Sequence, residues 1–200
     1  MKSLRLILIA PVAVLALSAC GSSSIPGMKM DATTAAPKAA GSATAAGTFK
    51  DGDVTFAQGM IPHHEQAIEM ADMALDPNAG ASAAVKTLAT KIKAGQDPEI
   101  KQMTALLTSW GKPVAMEMSG AEMSTMEGMM SSKDMTSLGT LKGAGFDKAW
   151  ATMMIAHHKG AIKMAETVKT AGSNPDMLKL AAGVITAQQA EITQLQPIAG

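Results

Sequence analysis

One stretch of this chain occurs twice. Met60-Ile61-Pro62-His63-His64 returns ninety-four residues later as Met154-Ile155-Ala156-His157-His158, and these two places hold all four histidines. When residues 53–72 are laid over residues 147–166 without a gap, ten of twenty positions are identical. Besides the histidine pairs, the matches are Asp53/Asp147, Ala57/Ala151, Met60/Met154, Ile61/Ile155, Ala67/Ala161, Ile68/Ile162, Met70/Met164 and Ala71/Ala165, while Phe56 faces Trp150. A repeat constrains architecture strongly, because both copies must bury the same face.

On an α-helix, positions three and four apart share a face. Met60 then lies one turn below His63 and His64, with Ala67 and Ala71 above them and Met70 on the His63 edge. Met154, His157, His158, Ala161, Met164 and Ala165 repeat the arrangement. Small alanines on such a face let two helices approach closely.

The first helix is expected over residues 53–75, with Asp53 as its N-cap and Asp76-Pro77-Asn78 as its end. A second is expected over residues 81–110, with Val85, Leu88, Ile92, Ile100, Met103 and Leu107 near helical spacing and Gly95 and Pro98 bending or interrupting it. A third is expected over residues 147–171, and a fourth from Asn174-Pro175 onward. The second helices of the two halves also echo one another, since Gln96, Glu99 and Ile100 match Gln188, Glu191 and Ile192 at an offset of ninety-two. No stretch alternates with period 2. The expected fold is therefore all-α: a four-helix bundle made of two αα-hairpins within residues 49–200, joined by a link at about 112–140.

Residues 1–20 read as an export signal. Lys2 and Arg5 precede an apolar run at 6–17, and Ser18-Ala19 lead to Cys20. Leu17-Ser18-Ala19-Cys20 looks like a bacterial lipobox, cleaved before a cysteine that then carries lipid. The blander readings are an uncleaved anchor or an ordinary signal with a chance cysteine. The apolar run is shorter than the roughly 20 residues that span a bilayer, and a lone cysteine forms no internal disulfide. Residues 21–48, rich in Ala, Thr, Ser, Gly and Pro, read as a disordered tether. The expected location is the bacterial cell envelope, lipid-anchored to the membrane and facing away from the cytoplasm. The chain has 17 basic and 17 acidic side chains, with no basic patch of the kind that nucleic acid requires.

The repeated residues suit a soft metal. Thioether selects Cu(I), and imidazole serves copper, zinc, nickel and iron. Di-iron bundles carry Glu-x-x-His, whereas Met60 and Met154 stand three residues before His63 and His157. Copper is thus expected ahead of iron, with other transition metals open. Gln96, Glu99, Gln188 and Glu191 are placed to support the imidazoles, because a ligating histidine usually gives its other N–H to such a group. The bland alternative is a set of satisfied core histidines among gap-filling methionines. Two copies in register favour binding. Pro62 frees the carbonyl of Gln58 and should kink the first helix, while Ala156 takes its place in the second copy.

Methionine is in excess, at eighteen residues. The link holds Met116, Met118, Met123, Met126, Met129, Met130 and Met135 among Ser, Gly, Glu and Thr, without the large apolar neighbours of a core pattern. It reads as an exposed copper catcher, against a flexible adhesive surface or an oxidation buffer.

Met-x-x-His-His-x-x-Ala-Ile-x-Met-Ala, present twice, with Gln-x-x-Glu-Ile on each partner helix, resembles the DUF305 family of bacterial exported proteins. The resemblance covers about residues 51–197 and implies a ferritin-like four-helix bundle, with copper binding and copper resistance in some members. Carried over residue by residue, the family's marked positions are Met60, His63, His64, Met70, Met154, His157, His158 and Met164, supported by Gln96, Glu99, Gln188 and Glu191. Pro98 inside the first Gln-x-x-Glu has no counterpart in the second.

The expected function is that of an exported copper-binding lipoprotein, without enzymatic activity, that holds Cu(I) for buffering or resistance and exchanges it with copper-handling proteins. Two other classes compete. One is a metal-dependent oxidase or haem-binding bundle, needing an open coordination position and a general acid or base. The other is a metal-independent structural or sensing module whose histidines titrate near neutral pH.

Overall fold

The computed structural model describes residues 47–116, 119 and 125–200. The expected signal, the lipidated Cys20, most of the tether, and Met118 and Met123 of the link lie outside the described residues. Helix α1 (Asp51–Leu75) turns through a short 3-10 segment (Pro77–Ala79) into α2 (Ala83–Ser109). A short helix α3 (Ser132–Thr140) leads to α4 (Gly143–Ala171), and α5 (Pro175–Ala199) completes the second hairpin. The fold is all-α, a bundle of two αα-hairpins with no strand among the described residues.

Each hairpin packs along its length, and α1 also packs against α4, whereas α2 and α5 barely touch. Ala67, Ala71, Ala161 and Ala165 are fully buried, and side chains of that size permit the close α1–α4 contact. The apolar core divides into two clusters. One gathers Met70, Val85, Ile92, Phe146, Trp150 and Met154; the other gathers Phe56, Met60, Met103, Leu107, Val168 and Met177. In all four long helices the histidines, glutamines and glutamates of the repeat fall between residues of the two clusters. A polar layer thus crosses the middle of the bundle.

Three sequence expectations need correction. Helix α1 starts at Asp51, with Lys50 as its cap, so Asp53 stands inside the first turn. Its buried carboxylate accepts N–H bonds from Lys50 at 2.8 Å and from Ser173 at 2.9 Å. Helix α4 starts one turn before Asp147, which buries Phe146 in the core. The link is also partly helical. Ser131 and Asp134 form a capping box that starts α3, and Met135 and Leu138, three apart, bury into the first apolar cluster. Met135 is therefore a core residue rather than an exposed one.

Pro62 and Pro98 sit inside helices that continue through them. Among the described residues no helix is long and apolar enough to cross a membrane.

Candidate metal centre

The polar layer is built from both repeats. His63, His64, His157 and His158 are all 0 % exposed, and Gln96, Gln188 and Glu191 are buried with them. His63 and His157 face one another between α1 and α4, their ring centroids 3.8 Å apart and their planes tilted by 43°. The second histidine of each pair, about 100° further round its helix, turns to its own hairpin. His64 Nε2 donates to Glu99 at 2.7 Å, and His158 Nε2 donates to Glu191 at 2.9 Å. The two glutamates orient imidazoles as the Gln-x-x-Glu pattern suggested. The two glutamines do not, for neither side-chain amide of Gln96 or Gln188 has a hydrogen-bond partner among the described residues.

The link runs over this layer. The Gln66 amide donates to the Met130 carbonyl at 2.9 Å and accepts the Met130 N–H at 2.7 Å. The Glu127 carbonyl accepts from His63 Nε2 at 3.3 Å, and the Glu127 carboxylate pairs with Lys163. Close approach of the link to α4 requires glycine. A Cβ on Gly160 would lie 2.0 Å from the Glu127 carbonyl oxygen and 2.8 Å from Gly128 Cα. Gly128 itself has φ of 85°, a left-handed conformation that glycine adopts without strain. Sequence reasoning missed Gln66, Glu127, Gly128 and Gly160. The available signal was a glycine in mid-helix at 160, where the first copy has Gln66, since glycine is unfavourable there by about 1 kcal/mol without a packing reason.

Burial sets the charge state of the inner pair. It pushes the His63 imidazole down to about 3, and the His64 charge adds to this against the opposing hydrogen bond to Glu127. Burial likewise holds His157 well below the usual histidine range, with the charges of His63, His158 and His64 contributing. Both rings are neutral bases at physiological pH. His63, His64 and His158 each commit Nε2–H to an oxygen, which leaves Nδ1 as the free nitrogen. Those three Nδ1 atoms and both nitrogens of His157 are buried without a hydrogen-bond partner among the described residues. An unpaired buried polar atom costs about 1–3 kcal/mol, so the layer fits a ligand that takes nitrogen lone pairs, and a transition-metal ion is such a ligand. Among the described residues no three His, Cys, Asp or Glu side chains already form a chelating group.

The methionines separate. Met60 and Met154 are fully buried one turn from their histidines, each in a different apolar cluster. Met70 is fully buried in the first cluster, and its carbonyl accepts from Trp150 Nε1 at 2.9 Å. Met164, its counterpart in the repeat, is only half-buried and lies against Gly59 rather than in the histidine layer. Of the link methionines described, Met116 and Met126 flank α1 near Pro62, Met129 and Met130 are half-buried, and Met135 is core.

Residues 53–199 match a family described as a domain of unknown function, DUF305. No curated protein matches the chain significantly. A DUF305 fragment from Deinococcus radiodurans is 30 % identical with a TM-score of 0.67, over 74 % of this chain and 95 % of that one. A DUF305 protein from Streptomyces coelicolor, described as a secreted protein, is 29 % identical with a TM-score of 0.66, over 72 % and 89 %. CopM in its Cu(I)-bound form is 34 % identical with a TM-score of 0.59, over 72 % and 93 %, and CopM has also been solved with Cu(II), with silver and in the apo form. Matched across its helical part by both the family and the solved structures, this chain belongs to the DUF305 family.

Proposed function

We propose that this protein binds copper as Cu(I) in the histidine layer, for copper buffering or resistance. The observation that carries this reading is the set of buried imidazole nitrogens without partners, three of them on rings whose other nitrogen is already held by an oxygen. In the Glu99–His64 and Glu191–His158 pairs the carboxylate holds the ring N–H opposite the free nitrogen, which fixes a ligating imidazole and raises its basicity. Met60 and Met154, one turn away, supply thioethers to a coordination set that imidazoles alone do not complete. The likeness to CopM, solved with Cu(I) and with silver, supports a soft monovalent ion.

Complete burial of all four rings favours holding an ion over turning over a substrate, so the protein is read as a binder rather than an enzyme. The inner rings touch at 3.8 Å, which leaves no space between them for a haem macrocycle. Burial also argues against the near-neutral sensor, because His63 titrates at about 3. Export and lipid attachment at Cys20 complete the proposal, with delivery to or from copper-handling proteins at the membrane surface.

The test is a Cu(I) titration of the protein against a competing chromophoric chelator, beside the variant H63A/H64A/H157A/H158A with its fold checked by circular dichroism. Loss of the tight phase in a folded variant supports the reading. Equal tight binding in both proteins refutes it.

A further inference from the structure

Gly59 breaks the repeat in an informative way. Its counterpart ninety-four residues later is Met153, so α1 carries a notch where α4 carries a thioether side chain. Methionines from elsewhere fill that notch. A Cβ built on Gly59 would lie 3.0 Å from Met164 Cε, 3.2 Å from Met126 Cε and 4.0 Å from Met116 Sδ. Three methionine side chains, one from α4 and two from the start and the middle of the link, thus close on one point of α1. All three side chains are half-buried. Met116 and Met126 also line a cavity of about 260 Å³ with Ile61, Pro62, Val114 and Glu65, and among the described residues its one charged group is the Glu65 carboxylate.

We propose that Met116, Met126 and Met164 form a second metal site, a three-thioether site for Cu(I) or Ag(I), separate from the histidine layer. Thioethers are neutral, soft donors, so such a site takes monovalent soft ions and discriminates against Zn(II) and Cu(II). Gly59 is one helical turn from His63, which makes the cluster an outer station beside the buried layer. The flexibility of the methionine side chain lets the three sulfurs adjust around an ion without moving the helices. The site rests on the reading that this protein handles a soft monovalent ion, but it uses none of the histidine ligands.

Packing alone could gather three methionines over a glycine, so the test keeps the packing and removes the sulfur. M116L/M126L/M164L changes side-chain volume little. Wild type, this variant, the four-histidine alanine variant and their combination are titrated with Ag(I), with silver-edge X-ray absorption on the loaded proteins. The expected result is that the triple leucine variant binds one equivalent fewer than wild type. The histidine variant should keep one equivalent with sulfur-only coordination, and the combination should lose it. An unchanged stoichiometry in the triple leucine variant overturns the site and leaves the histidine reading standing. Retention of that equivalent in the combined variant also overturns it, placing the ion elsewhere in the link. If the histidine variant fails to fold, comparison of the triple leucine variant with wild type decides the matter alone.

Discussion

Asp53 and Asp147 each hold the turn of the hairpin to which they do not belong. Asp53 of the first hairpin accepts the backbone N–H of Ser173 at 2.9 Å and of Asn174 at 3.2 Å, in the turn between α4 and α5. Asp147 of the second accepts the N–H of Ser82 at 3.2 Å, in the turn between α1 and α2. The two carboxylates lie ninety-four residues apart and the two capping residues Ser82 and Asn174 ninety-two, which are the offsets of the first and second helices of the repeat. They lock the hairpins together at opposite ends of the bundle.

The two locks differ in burial, and so in strength. Asp53 and Asn174 are buried, whereas Asp147 is half-buried and Ser82 exposed. Asp53→Ala leaves buried N–H groups without an acceptor and should cost about 2–4 kcal/mol, while Asp147→Ala, whose donor can turn to water, should cost about 1 kcal/mol or less. Urea unfolding of the metal-free protein checks both, and equal losses would contradict the burial argument.

Gly160 is where the link meets α4. Gly160→Ala places a methyl group against the backbone of Glu127, which cannot rotate away, so residues 125–130 must lift from the histidine layer. Cleavage within the link by limited proteolysis should speed up at least several-fold. Gly95 lies mid-helix in α2 with open space around it, so Gly95→Ala should instead stabilise the protein by about 0.5–1 kcal/mol. The pair separates a glycine kept for close approach from one that is only tolerated.

The metal-free protein should lose stability in acid. The folded-state value for His63 is about 3 against 6.5 for the free side chain, so between those limits the unfolded chain binds a proton that the folded chain refuses. Stability is fully present above about pH 6.5 and falls as pH drops toward 3, by up to about 1.4 kcal/mol per pH unit from His63. His157 acts in the same direction. Urea midpoints across pH 7 to 4 measure the slope, which His63→Ala should reduce. A histidine NMR titration of the folded protein should show His63 neutral throughout that range; protonation near pH 6 would restore the sensor reading.

The two carboxylate–imidazole pairs should contribute unequally to copper affinity. The Glu191 side chain is 7 % exposed and that of Glu99 24 %, so water can replace Glu99 more readily. Glu191→Ala should weaken Cu(I) binding by about 10- to 100-fold, and Glu99→Ala by less. Competition with a chromophoric chelator measures both, and the reverse order would show that burial does not set the strength of these pairs.

Much of this was legible in the sequence because the repeat is a physical constraint. Two copies of one helical face predict two hairpins, and the matched His-His and Glu positions predict pairings that the structure forms at 2.7 and 2.9 Å. The long-range contacts of the link were hidden. Nothing in the spacing of Met126, Glu127 and Met130 announces that this segment crosses α1 and α4, because its placement rests on Gln66 and Gly160, thirty or more residues away on either side. The place of Met164 was hidden for a related reason. Its repeat position equals that of Met70, but Gly59 removes the side chain that would have matched Met153, and Met164 settles against the gap.

Nitrogen-15 NMR of histidine-labelled protein, before and after one equivalent of Cu(I), tests the central claim most directly. Nδ1 of His64 and His158 should change from unprotonated to metal-bound shifts while their Nε2 atoms stay protonated against Glu99 and Glu191, respectively. If all eight ring nitrogens keep their metal-free shifts with Cu(I) bound, the histidine layer is a packing motif and copper binds elsewhere.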